Sequence, residues 1–186
     1  MPSISTAKVL IIASDGFEQT ELMTPQKTLS EAGATVHVAS PDGSAIKGWD
    51  VDDWGTTVKA DRSIEDVSAA EYDVLVLPGG QINPDVLRVN GTALSLIKAF
   101  AEAGKPIAAI CHAPWLLIET GLIKGHRATS YKSIKTDVAN AGATWVDEKV
   151  VVDGGLVTSR NPDDLDAFCA AIIEVVEKDE GYKAAA

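Results

Sequence analysis

The run Pro106-Ile107-Ala108-Ala109-Ile110-Cys111-His112-Ala113-Pro114-Trp115-Leu116-Leu117 decides the fold. Pro106 to Ile110 is apolar throughout and too short for a helix, which is the pattern of a strand buried on both faces. Leu116, Leu117 and Ile118, closed by Gly121, mark a helix, and Pro114 suits its first turn because no N–H is required there. The chain therefore passes from strand to helix over a sharp turn that carries Cys111. Small Ala109 and Ala113 flank that cysteine, which gives the segment the architecture of a nucleophile elbow.

Working outward, Lys8 to Ala13, Thr35 to Ser40 and Asp73 to Leu77 repeat the same short apolar pattern. Helical spacing separates them: Leu22, Leu29 and Ala32 up to Gly33, then Leu94, Ile97, Phe100 and Ala101 from Asn90-Gly91 to Gly104. Lys47 to Ala60, with Trp49 and Trp54, reads as a short hairpin or surface excursion. After Pro78-Gly79-Gly80 a loop is expected. Further on come a polar helix near Thr136 to Asn140, a hairpin over Val150 to Val157, and a last helix opened by Asn161-Pro162-Asp163-Asp164. The tail Asp179 to Ala186 is expected to fray. Strands alternating with helices predict a mostly parallel sheet covered on both faces, a three-layer α/β sandwich. No repeat or linker divides the chain, so residues 1–186 read as one domain with a core of about 8–177.

The 186 residues are 46% hydrophobic and carry a net charge of −11. That field repels phosphate backbones and anionic lipids, so nucleic-acid and membrane binding are not expected. No stretch reaches the ~18 apolar residues of a membrane span, and the N-terminus lacks the blocks of a signal peptide, which points to the cytosol. Two cysteines make no disulfide scaffold, and a reducing compartment keeps both as thiols.

In parallel sheets, functional groups gather beyond the carboxyl ends of the strands. Gly16-Phe17-Glu18, Pro78-Gly79-Gly80 and Cys111-His112 lie at three such ends. The start of the following helix favours a thiolate at Cys111, whereas Cys169, beside Phe168 and Ile172 inside a helix, reads as core. Two consecutive glycines let backbone N–H groups approach an anion. His37 and His126 read as structural, three histidines without clustered partners make no metal site, and no phosphate loop is present, so neither a metal nor a cofactor is expected.

Ala109-Ile110-Cys111-His112-Ala113-Pro114, with Leu77-Pro78-Gly79-Gly80, Phe17-Glu18 and Thr129-Ser130-Tyr131 in order around it, resembles the PfpI branch of the DJ-1/PfpI superfamily. The resemblance spans Lys8 to about Glu177; the family usually has glycine where Ala113 stands. It implies a flavodoxin-like sandwich, shared with class I glutamine amidotransferases, and a homodimer or larger assembly. It also implies a nucleophilic Cys111, the adjacent His112, Glu18 facing the thiol, and an oxyanion hole from the backbone N–H groups of Gly80 and His112. A further carboxylate comes from the neighbouring subunit in PfpI-type proteases, and Asp85 is its nearest counterpart.

The function implied is a cofactor-free cysteine hydrolase acting on a small carbonyl or glycated substrate: a deglycase or glyoxalase for glyoxal and methylglyoxal adducts. A cysteine peptidase and a non-catalytic redox or stress protein that senses through oxidation of Cys111 are the alternatives. Glu18 beside Cys111 is expected to share its proton with the sulfur, because a carboxylate next to a thiolate is repulsive.

Overall fold

The computed structural model describes residues 3–185. In chain order its elements are β1 (Lys8–Ile12), β2 (Phe17–Glu18), α1 (Gln19–Glu31), β3 (Thr35–Ser40), β4 (Ile46–Asp50), β5 (Asp53–Val58), β6 (Arg62–Ser63), β7 (Val74–Leu77) and α2 (Ile82–Leu87). There follow α3 (Gly91–Glu102), β8 (Ile107–Ile110), α4 (Pro114–Glu119), β9 (Arg127–Ala128), α5 (Lys135–Asn140), β10 (Thr144–Trp145), β11 (Val150–Asp153), β12 (Leu156–Ser159) and α6 (Leu165–Glu177).

Seven strands form the central sheet in the order β11-β12-β8-β7-β1-β3-β6. Every neighbouring pair in it is parallel except the terminal β11-β12 hairpin. The parallel strands are continuously apolar because each face is buried under its own layer. Leu10 and Ile12 of β1 pack with Leu75, Ile107, Ala109 and the α3 and α4 side chains Phe100 and Leu116 on one face. Val9 and Ile11 pack with Val76, Ala108, Ile110 and the α1 and α6 side chains Leu29 and Phe168 on the other. Each strand thus splits its residues by the period of two that strand geometry imposes.

The chain moves from β1 to β3 on one side and then crosses to β7, β8 and β12 on the other. The order reverses at β1, so the ends of β1, β7 and β8 frame the crevice where open α/β sheets hold ligands. The expected excursion at Lys47 to Ala60 is the β4-β5 hairpin, joined by β2 into a small second sheet.

Two expectations are corrected. The stretch after Gly80 is not a loop but the helix α2, because Pro84 falls in its first turn, where N–H groups lack intrahelical acceptors anyway. The tail does not fray over its described part: the Tyr182 hydroxyl donates to the Leu122 carbonyl at 3.0 Å and the Lys183 N–H to that of Gly154 at 2.7 Å. Ala186 lies outside the described residues.

Candidate active site

Cys111 has φ of +64°, in the left-handed region that side chains other than glycine's seldom enter. A neighbouring strand and the segment after β9 hold it there. Its N–H donates to the Ser159 carbonyl at 3.1 Å, and its carbonyl accepts the Tyr131 N–H at 2.8 Å. Backbone strain fixed by flanking bonds is the signature of a positioned nucleophile.

The residues that face the sulfur come from three strand ends. His112 brings Nδ1 to 3.1 Å from Sγ, and its Nε2 lies 3.0 Å from Ser133 Oγ. Its ring stacks on Tyr131, with centroids 4.8 Å apart, and meets Trp115 edge-on. Burial pushes the imidazole pKa down, favouring the neutral ring. When Nε2 carries the hydrogen and donates it to Ser133, Nδ1 offers its lone pair to the thiol.

The carboxylate at the thiol is Glu21, not Glu18. Glu18 has extended dihedrals and caps α1: its Oε2 accepts the N–H groups of Thr20 and Glu21 at 2.9 and 3.0 Å and the Thr20 hydroxyl at 2.6 Å. A side chain folded back on its own helix start is spent on those orphan donors and does not face the sulfur. Glu21, one turn on, points inward and is fully buried. Its Oε2 accepts the Gly79 N–H at 2.9 Å and stands beside Cys111 across Gly79, and its Oε1 has no hydrogen-bond partner among the described residues. Burial first, and the charge of Glu18 second, push the Glu21 pKa up to about 8.

Burial and the nearby Glu21 charge likewise drive the thiol pKa upward, against the expectation of a lowered one. The backbone N–H groups of Gly80 and His112 oppose this by bonding the sulfur. One proton removes the share of this that comes from Glu21, while burial, the larger cause, stays. When Glu21 is protonated, as its own shift favours below about pH 8, the repulsion vanishes and its O–H donates to the sulfur. The two groups therefore titrate as a pair.

The glycine pair is required by space. A Cβ on Gly79 would stand 2.6 Å from Cys111 Cβ and from the Ile110 carbonyl, and Gly80 has φ of +78° with Gly16 and Glu18 backbone equally close. Buried Asn83 braces the crevice: its Oδ1 accepts the Ser14 N–H at 2.7 Å, and its Nδ2 donates to the Pro78 carbonyl at 2.9 Å. Asp85, two residues on, lies on the exposed side of α2. The structure thus brings together Cys111, His112 and the Gly80 N–H, and it leaves Glu18 and Asp85 away from the sulfur within one chain. Glu21, Ser133 and Asn83 escaped the sequence reading.

Cys169 is buried in α6, and burial pushes its thiol up to about 11. Among the described residues no group of three or more His, Cys, Asp or Glu side chains is placed to hold a metal, and no helix is long and apolar enough to cross a membrane.

A thiol raised on a strained strand-to-helix turn, with an acid and two N–H donors converging on it, defines an α/β sandwich of the cysteine-elbow class. Within that class the chain belongs to the DJ-1/PfpI family, whose model matches residues 7–175. It is 44% identical over 169 residues to Deglycase TK1284 of Thermococcus kodakarensis, covering 91% of this chain and 99% of that protein. It is 43% identical over 162 residues to the putative cysteine protease YraA of Bacillus subtilis, covering 87% and 93%. The crystal structure of Drosophila melanogaster DJ-1beta superposes with a TM-score of 0.85 at 33% identity, covering 92% of this chain and 90% of that one.

Proposed function

We propose that this protein is a cysteine-dependent deglycase that acts on early glyoxal and methylglyoxal adducts of amines. The observation that carries the reading is the buried Glu21 held against Cys111, with the Gly80 and His112 N–H groups on the same sulfur. The thiolate takes the place of the amine at the carbinol carbon of the adduct, forming a hemithioacetal, and the charge that develops on its oxygen is received by those N–H groups, each worth about 3 to 4 kcal/mol when aligned. Glu21 or His112 gives a proton to the departing amine. The carbinol C–H proton then passes through an enediol to the neighbouring carbon, which turns the hemithioacetal into a thioester. One water hydrolyses the thioester and returns the thiol; the former aldehyde carbon ends as a carboxylate and its neighbour as an alcohol. The products are free amine and a hydroxy acid, and no external oxidant or cofactor enters. Relatives named deglycases support this reading.

A peptidase is the second reading, favoured by the relative named a putative cysteine protease. Purified protein assayed in parallel on a methylglyoxal-glycated peptide, free methylglyoxal and the unmodified peptide separates them. Amine release from the first is expected; cleavage of the unmodified peptide alone would replace this reading with the second.

Assembly belongs to the same proposal. Ile82, Val86 and Val89 lie exposed along α2 and just after it, beside Asp85. A second copy covering that face would bring Asp85 toward the neighbour's site, where it would orient His112 in trans.

A further inference from the structure

Near the elbow in sequence, Tyr131 and four residues that the mechanism does not use, Lys132, Trp145, Asp147 and Arg160, help wall a cleft of about 280 Å³. Its walls are one residue removed from the groups that hold the nucleophile. Ser159, which accepts the Cys111 N–H, precedes Arg160; Tyr131 and Ser133, which stack on and bond to His112, flank Lys132.

The cations in this cleft are unevenly committed. Asp164, buried, takes Arg160 Nε and Nη2 at 2.8 and 3.0 Å and so fixes the plane of the guanidinium. The remaining Nη1 meets Asp147 at 2.6 Å, and Asp147 is 68% exposed. Such a solvent-facing pair is weak and exchangeable, so Asp147 occupies a position that another carboxylate could take. Lys132 makes no ion pair among the described residues, and Lys135 stands 4.7 Å over the Trp145 ring. On a chain of net charge −11, Lys132 gives this cleft a positive charge that no carboxylate pairs among the described residues, and such a charge attracts anions.

From this arrangement we infer that the cleft takes a free carboxylate of the substrate, held by Lys132 and by Arg160 Nη1 after Asp147 is displaced. The preferred substrates are then glycated amino acids or peptides that present a carboxylate near the adduct. This deepens the deglycase reading and rests on it.

The test compares the methylglyoxal adducts of Nα-acetyl-lysine and of its neutral amide, in the wild type, Lys132→Ala, Lys132→Glu and Asp147→Asn. Lys132 and Asp147 are exposed, so the variants are expected to fold. The wild type should prefer the carboxylate form about fivefold in kcat/KM, through KM, with the preference shrinking as salt rises. The ratio should fall to near one in Lys132→Ala, drop below one in Lys132→Glu and rise in Asp147→Asn. Equal ratios in all four proteins would overturn the inference. A second arm needs no turnover: alkylation of Cys111 by iodoacetate against iodoacetamide, read by peptide mapping so that Cys169 is separate, should show the same order. If neither adduct is turned over but iodoacetate keeps its Lys132-dependent advantage, the deglycase reading fails and the anion cleft stands. If both adducts turn over without a charge preference, the cleft fails and the deglycase reading stands.

Discussion

Replacing Glu21 with Gln removes the one buried acid at the thiol while keeping its shape and an acceptor for the Gly79 N–H. Unfolded, Glu21 loses its proton above its ordinary value of 4.5; folded, it keeps the proton until about 8. Between those values the unfolded chain binds fewer protons than the folded one, so wild-type stability falls as pH rises through the window. At about 1.4 kcal/mol for each pH unit, the loss integrates to about 5 kcal/mol by pH 8, an upper bound because Cys111 titrates with Glu21. Glutamine has no proton to lose. Denaturant unfolding of both proteins at one fixed concentration, from pH 4.5 to 8, should show similar stabilities at the acid end and a Gln advantage growing to several kcal/mol at the alkaline end. Alkylation of Cys111 against pH should lose its inflection in the variant, because no carboxyl group is left to exchange a proton with the sulfur. Parallel stability curves would falsify the claim that Glu21 is held protonated in the fold, and an unchanged alkylation profile would separate it from the thiol.

Cys111→Ala should abolish amine release from the glycated peptide, while Cys169→Ala leaves it within about twofold, since burial keeps that thiol protonated. Ser133→Ala takes away the partner of His112 Nε2 and should lower kcat about tenfold with a stability change below about 1 kcal/mol, measured by steady-state kinetics beside thermal unfolding. If Asp85 completes a neighbouring site, dilution should lower specific activity, and mixing Asp85→Ala with Cys111→Ala subunits should restore part of it; full activity in a monomer seen by sizing would return Asp85 to an ordinary surface role.

The parallel strands were legible because burial on both faces leaves an unbroken apolar run, as in Lys8–Ile12 and Val74–Leu77. The elbow was legible for a related reason: an apolar strand that stops at Cys111 and a proline three residues later leave room only for a tight turn. Helix α2 was not, because six residues containing a proline carry too few turns to show a period, and its stability comes from Pro84 and Leu87 packing inward.

The exchange of Glu18 for Glu21 shows where a motif ends and helix geometry takes over. Gln19 and Thr20 separate two carboxylates at the start of α1, and adjacency to Phe17 singles out the first. A residue at the N-cap, however, stands before four N–H groups that have no helical acceptor, and a glutamate there closes on them. The second carboxylate lies one helical turn on, where side chains project along the face set by the rest of the helix. That face is readable: the buried positions of α1 are Glu21, Leu22, Pro25 and Leu29, spaced as one side of a 3.6-residue repeat. Leu22 and Leu29 already mark the inward side, so carrying the period back one residue puts Glu21 on it, with Pro25 four residues further along. An acid on the apolar face of a helix that follows a strand end has no water to stabilise its charge and must find either a cation or a proton. Among the described residues no cation pairs with Glu21; the Gly79 N–H bonds its carboxyl and the thiol stands beside it. The proton is therefore the only remaining way to bury it, and that same proton lets a thiolate form beside it.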